Sequence, residues 1–420
     1  MKMGLIGAGQ RGMIYAGYAC RSGRTEIAAI ADPNEEHRLS AARILNVPAE
    51  KTYSSAEELL GQGKIADALI IASMDRDHYR QTMAALELGY DILLEKPISP
   101  DPKEALAIQE KADARGLQVI VCHVLRYTNF FSTLKSIVDS GELGRIVSIQ
   151  HNENVGNFHI AHSFVRGNWR NSAESSPIIM QKSCHDMDIL AWLTGSEAKK
   201  IASFGSLTYF KEENAPEGSS GRCLTCRAAE GCRFNALKMY LPIRGNWPAV
   251  VLTPDQTEEG IRRALETSPY GRCVYRCDND VCDHQVTLME FKNGVTASFN
   301  LSGFTNRMSR TIKIMCENGE IRGDDKANVI EVTHFASNAI EEVRQTVIRP
   351  EVVTGGHGGG DALLMEDFLS MLQNGRREAR SSIRQSIESH VMAYAAELSR
   401  TTGQVVDIDT LKERLRGSLQ

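Results

Sequence analysis

The chain has no apolar run long enough to cross a membrane, no long basic stretch, no internal repeat and no low-complexity tract. The first absence removes a membrane-spanning helix, which needs about 20 consecutive apolar residues. The second, together with a formal net charge of −5, removes the electrostatic footprint of a nucleic-acid binder. The first apolar segment begins almost at Met1, which leaves no room for a secretory leader, so a cytoplasmic location is expected. What is present is a 420-residue chain with 42% hydrophobic residues, too long for one core and rich enough for two.

An apolar strand over residues 2–6 runs directly into Gly7-Ala-Gly9-Gln10-Arg11-Gly12. A pyrophosphate must approach bare backbone N–H groups at a helix N-terminus, and glycines at these three positions permit the turn, the approach and the helix–strand packing. A second apolar strand, residues 25–31, ends in Asp32, about twenty residues past the third glycine, where a ribose 2′-hydroxyl is held. A carboxylate there repels a 2′-phosphate, and no arginine follows immediately, so NAD is favoured over NADP. The alternative for Asp32 is a turn residue ahead of Pro33.

Strand and helix patterns alternate to about residue 122. Strands are expected at 65–73, 91–95 and 117–122 and helices at 80–89 and 102–115, which is the arithmetic of a doubly wound parallel sheet, a Rossmann domain over 1–122. The loops at the carboxyl ends of its strands line the cofactor crevice. Gly7, Gly9, Gln10, Arg11, Gly12, Asp32, Ser73, His78, Glu95 and Lys96 are therefore the cofactor-binding candidates. From 123 to 420 the pattern changes to strands at 144–154, 200–210, 285–291, 295–303 and 311–316. These read as a mostly antiparallel open-faced sheet with helices on one side, and one face is suited to pairing with another subunit. Helices are expected at 361–373 and 381–401, with Gly355-Gly-His357-Gly-Gly-Gly360 as a flexible lead-in.

The glycine fingerprint, Glu95-Lys96-Pro97 at a strand end, Arg126-Tyr127, Gly141-Glu-Leu-Gly144-Arg-Ile and Cys184-His185-Asp186-Met187-Asp188 together resemble the glucose-fructose oxidoreductase and inositol dehydrogenase family (Gfo/Idh/MocA). The resemblance covers most of the chain outside about 211–282. It implies a Rossmann domain followed by an open-faced sheet domain, NAD(P)-dependent hydride transfer on sugars or polyols, and homodimers or homotetramers.

Taking a hydride from a secondary alcohol requires that the hydroxyl proton be removed, so a base or relay must sit beside the nicotinamide. Lys96 and His185 are the candidates, against a turn lysine and a helix-start histidine. Simple dehydrogenases of the family commonly carry an aspartate four residues before this histidine; here the position is Gln181, followed by Lys182. Lys182 is either a second cation in the substrate pocket or a solvated side chain. The segment 152–170 is rich in amides and imidazoles, and Asn154, His159 and Trp169 join Arg126, Gln181, Lys182 and His185 as substrate-binding candidates for a small carbohydrate.

About residues 211–282 carry Cys223, Cys226 and Cys232, with Cys273, Cys277 and Cys282 some forty residues later. Cys223, Cys226, Cys232 and Cys277, with Cys273 as substitute, are a ligand set for a structural zinc; an iron–sulfur cluster, disulfides and free thiols are the alternatives. Three functions follow: an NAD-dependent dehydrogenase of a sugar, sugar acid, polyol or glycoside; an NAD-retaining glycosidase working by oxidation, elimination and re-reduction; or a non-catalytic NAD-binding sensor.

Overall fold

The computed structural model describes residues 1–338, 340, 343–375 and 379–417. Its first sheet consists of β1 (Lys2–Ile6), β2 (Glu26–Ala31), β3 (Thr52–Tyr53), β4 (Ala68–Ile71), β5 (Asp91–Leu94) and β6 (Val119–Val121). All pairings are parallel, in the order β3-β2-β1-β4-β5-β6. Order reverses at β1, which places the crevice at that strand's carboxyl end. The helices between strands carry local signals: Pro102–Arg115 starts behind Asp101, whose carboxylate caps the Lys103 N–H at 2.9 Å, and ends at Gly116 in the left-handed region. The two-residue β3 is too short for any periodicity to register.

The second sheet is mixed and mostly antiparallel. Its strands are β7 (Ile146–Asn154), β8 (Ala198–Ser206), β9 (His284–Phe291), β10 (Thr296–Ser302), β11 (Ser309–Cys316), β12 (Gly319–Asp324), β13 (Val329–His334), β14 (Gln345–Ile348) and β15 (Val406–Asp407). They run in the order β14-β13-β12-β11-β7-β10-β9-β8-β15, and only the β7–β10 pair is parallel. Along β7 the side chains at 149, 151 and 153 are buried under helices, while those between them face outward.

Two C-terminal helices tie the halves together. Gly360–Asn374 contributes Leu364, Met365, Phe368 and Leu369 to the core of the first sheet, so a division at residue 122 does not separate the two packing units. Ile383–Thr402 packs on β8 and on the helix Cys184–Thr194, while His390 Nε2 accepts the Ile98 N–H at 2.8 Å. No helix among the described residues is long and apolar enough to cross a membrane.

Buried neutral histidines make the fold acid-sensitive. Burial pushes His162 and His390 down to about 3, against about 6.5 in an unfolded chain. Stability from each is present above pH ~6.5 and is lost at about 1.4 kcal/mol per pH unit as the pH falls toward the folded value, because the unfolded chain takes up the proton first. Melting temperature followed from pH 7.5 downward should fall steeply below about 6.5; a flat profile to pH 5 would contradict this.

Candidate active site

At the β1 carboxyl end each glycine of the fingerprint has a distinct role. Gly7 has φ +89°, and a Cβ there would stand 2.5 Å from the Ala72 carbonyl oxygen. A Cβ on Gly12 would lie 1.9 Å from the Gly7 carbonyl oxygen. A Cβ on Gly9 would meet nothing within 4 Å: it would project into open space above a helix start, Gln10–Arg21, that has no side-chain cap. That is the cradle a pyrophosphate fills. Gly9→Val should therefore leave the fold intact and weaken NAD binding about tenfold or more, read by titration calorimetry.

The other cofactor candidates mostly fasten this cradle. Asp32 accepts the Ala8 N–H at 2.7 Å and the Asn34 N–H at 2.8 Å. The Arg11 guanidinium is taken up by Glu95 (2.8 Å) and Asp361 (2.6 Å). Glu95 is buried, yet Arg11 and Lys96 outweigh desolvation and hold its carboxyl below the usual range. Ser73 Oγ donates to Gln81 at 2.6 Å. His78 is buried, with its ring nitrogens 2.8 Å from the Pro97 carbonyl and 3.2 Å from the Ser73 carbonyl, so it clasps two crevice loops instead of reaching a cofactor. Gln10 is exposed at the helix start.

Lys96 and His185 come together across the crevice. Lys96 Nζ donates to the Gln181 carbonyl at 2.9 Å, which bends the lysine under the helix Cys184–Thr194. His185 is buried, its Nδ1 has no partner among the described residues, and burial beside Lys96, His123 and Arg310 holds its pKa well below the ordinary value. The imidazole is neutral and able to accept a proton. Gln181 Oε1 and Ser183 Oγ are likewise buried without partners, so the wall presents polar atoms that await a ligand.

Lys182 is not a solvated side chain. Its Nζ stands 3.3 Å from Glu153 Oε1, burial lowers its pKa and raises that of Glu153, and Arg310 pairs with Glu153 as well as with Asp186 (2.8 Å). His151 closes the network on Asp186 at 2.8 Å.

Three substrate candidates take other places. Arg126 is buried and forks onto Asp188 through two 2.7 Å bonds, with its remaining nitrogen on the Arg380 carbonyl, so the guanidinium joins helices and has nothing left for a ligand. Asn154 lies on the outward face of β7, opposite Glu153, and donates to Ser309 Oγ at 3.1 Å. Trp169 is partly buried against Phe164. His159 stands near Lys182, where burial and that lysine lower its pKa, and its ring meets Phe164 at 5.8 Å and Trp247 of the Cys-rich segment at 5.0 Å between ring centres.

One pair escaped the sequence. His357 sits in the glycine run at φ +48°, a left-handed conformation costly for a non-glycine residue, and its Nδ1 lies 3.1 Å from the buried Asp361. Its ring is 6.3 Å from that of His185, and its Nε2 has no partner among the described residues. A lone histidine among five glycines was the available signal: the flexible lead-in is a strap that carries a carboxylate-supported imidazole to the crevice.

The cysteines are all free thiols, and among the described residues no three His, Cys, Asp or Glu side chains stand close enough to hold a metal ion. Cys277 turns away, donating its thiol to the Cys273 carbonyl at 3.2 Å.

A parallel sheet with a glycine cradle at its switch point, beside a lysine and an unprotonated histidine, defines an NAD-binding oxidoreductase. Two family models match the chain, an oxidoreductase-family NAD-binding Rossmann fold over residues 1–123 and an oxidoreductase-family C-terminal alpha/beta domain over 135–408. The chain belongs to the Gfo/Idh/MocA family. It is 26% identical over 338 residues to the Bacillus subtilis protein YteT, covering 77% of this chain and 76% of YteT. It is also 26% identical over 208 residues to an inositol 2-dehydrogenase of Corynebacterium glutamicum, where the match spans 48% of this chain and 56% of that enzyme. A levoglucosan dehydrogenase solved with NADH and L-sorbose shares the fold at a TM-score of 0.72 and 17% identity, covering 97% of this chain and 98% of that one.

Proposed function

We propose that the protein transfers a hydride between NAD and a secondary alcohol of a small sugar-like substrate. The observation that carries this reading is His185, a buried neutral imidazole with an unengaged nitrogen beside Lys96 and next to the glycine cradle. NAD held by its pyrophosphate at the cradle would supply the hydride acceptor or donor. Lys96 fixes the substrate hydroxyl, His185 takes its proton as the carbon loses hydride, and His357, backed by Asp361, hands that proton on to solvent. Gln181, His159 and Trp247 offer amide, imidazole and aromatic surface to the remaining hydroxyls and ring. Lys182 and Arg310 are balanced by Glu153 and Asp186, so this side of the pocket carries no excess charge and suits a neutral sugar. Asp32 at the end of β2 supports NAD over NADP.

A carbohydrate panel offered with NAD and, separately, NADP, followed at the NADH absorbance band, tests this. NADH formed in step with one substrate class supports it; binding of NAD without turnover of any member supports a sensor. A second reading rests on the His357–Asp361 pair, because elimination across a sugar ring needs one group to remove a proton and another to protonate the leaving oxygen. That reading requires release of the alcohol from an aryl glycoside with no net NADH.

We further propose that the outward face of the second sheet joins two copies of the chain. Phe204 is 68% exposed, and Val286, cross-paired with it, and Leu288 are 41% and 52% exposed, which gives neighbouring strands a shared apolar patch on the outward face. Leu288→Glu should weaken self-association by about 2 kcal/mol or more, read by light scattering across a dilution series. A wild-type monomer at every concentration removes the proposal.

A further inference from the structure

Beneath the substrate-facing wall, Cys223, Cys226, Cys232 and Cys273 ring a cavity of about 20 Å³ together with Arg166. The space admits one ion- or water-sized body and is far too small for a cubane cluster. Arg166 is the unusual member. It is 0% exposed, and its nitrogens reach the carbonyls of Arg272 (2.7 Å) and Phe234 (2.8 Å), the sulfurs of Met239 (3.3 Å) and Cys223 (3.4 Å), and the Tyr240 hydroxyl, all of them uncharged groups. No carboxylate pairs with it among the described residues. An isolated buried cation costs several kcal/mol unless negative charge is near.

Thiols and a disulfide are neutral and leave that charge uncompensated; thiolates do not. We propose that Cys223, Cys226, Cys232 and Cys273 bind one zinc ion as a tetrathiolate, with Arg166 as the buried counter-cation. Each thiol gives its proton to solvent as its sulfur bonds the metal, so Zn²⁺ and four thiolates carry a net charge of −2 against the guanidinium. In the structure the four cysteines line the cavity but no three of their side chains stand close enough to hold a metal ion, so the proposal requires their side chains to turn inward to Zn–S bonds of about 2.3 Å. Cys273 replaces Cys277 in the ligand set because Cys277 does not line the cavity. The metal is structural: four thiolates leave no open position. It fastens the segment that holds Trp247 against His159, and Arg166 ends the turn of chain that carries His162, so ion and pocket wall are joined through one guanidinium.

The test is metal analysis of the full chain purified without chelator, with a thiol count before and after zinc is stripped into a colorimetric indicator. About one zinc per chain, four thiols gained on stripping and a lowered melting temperature are expected. Cys277→Ser should keep the metal, Cys226→Ser and Cys273→Ser should lose it, and Arg166→Met should weaken zinc binding about 10- to 100-fold. If the cysteine variants do not fold, release of zinc from the wild-type chain still decides. A folded, metal-free chain indifferent to zinc and chelator, a disulfide among the four found by mass spectrometry, or zinc lost from Cys277→Ser but kept by Cys273→Ser overturns the proposal.

Discussion

Arg310→Met should destabilise the fold by about 3–5 kcal/mol at neutral pH, the range for removing one partner of a buried ion pair. Arg310 is 9% exposed and serves two carboxylates, Asp186 at 0% and Glu153 at 2% exposure, leaving both without their principal cation when it goes. Lys182 and His151 remain, but neither occupies the space between the two acids. The pH dependence gives the sign. Burial alone raises the Asp186 pKa, but Arg310 and His151 more than offset it and hold the carboxyl far below its ordinary range. The stabilisation is therefore present above the unfolded value of about 3.9 and is lost as the pH falls through the folded one. Chemical denaturation of both proteins should show the largest gap near pH 7, narrowing below about pH 4; an equal gap at every pH would assign the loss to packing instead.

His185→Asn should lower kcat by about 10² to 10⁴ while NAD affinity stays within a few-fold, because a proton acceptor is removed and the cradle is untouched. Asparagine preserves a polar side chain of similar reach, so the loss reports proton transfer. Since burial keeps the wild-type imidazole neutral well below its usual range, the rate of the wild-type enzyme should show no falling limb near pH 6.5 from this residue. Steady-state kinetics on a substrate found in the panel, with NAD binding measured in parallel, checks both. Unchanged kcat would move the base to His357 or Lys182.

Much of this site was readable because its parts are local. The glycine run, Asp32, Lys96 and His185 sit at strand ends or helix starts that short patterns announce, and the parallel sheet followed from alternating segments. What escaped depends on side chains reaching across the chain. Arg126 carries a charge and follows a crevice strand, so it resembled a ligand for substrate, but Asp188, sixty-two positions later, consumes it. Asn154 and Glu153 are adjacent in sequence and on opposite faces of β7; only the register against β10 and β11 decides which one meets the pocket. Likewise Cys273 and Cys277 are equivalent by spacing, and backbone geometry separates them. β12 through β14 are short and partly polar, and pairing with neighbours, not propensity, makes them strands.

The guanidinium of Arg11 has a thermodynamic consequence. It belongs to the phosphate-binding loop, yet it grips Glu95 next to Lys96 with one nitrogen and Asp361, the support of His357, with the other two. Any change that cofactor binding makes in this loop is felt at the strap, and linkage demands that it be felt equally in reverse. A ligand that orders the strap must raise NAD affinity by the same factor by which NAD raises its own. Were the first partner to order the strap, it would lower the ordering cost for the second, with Arg11 as the side chain that joins the two sites.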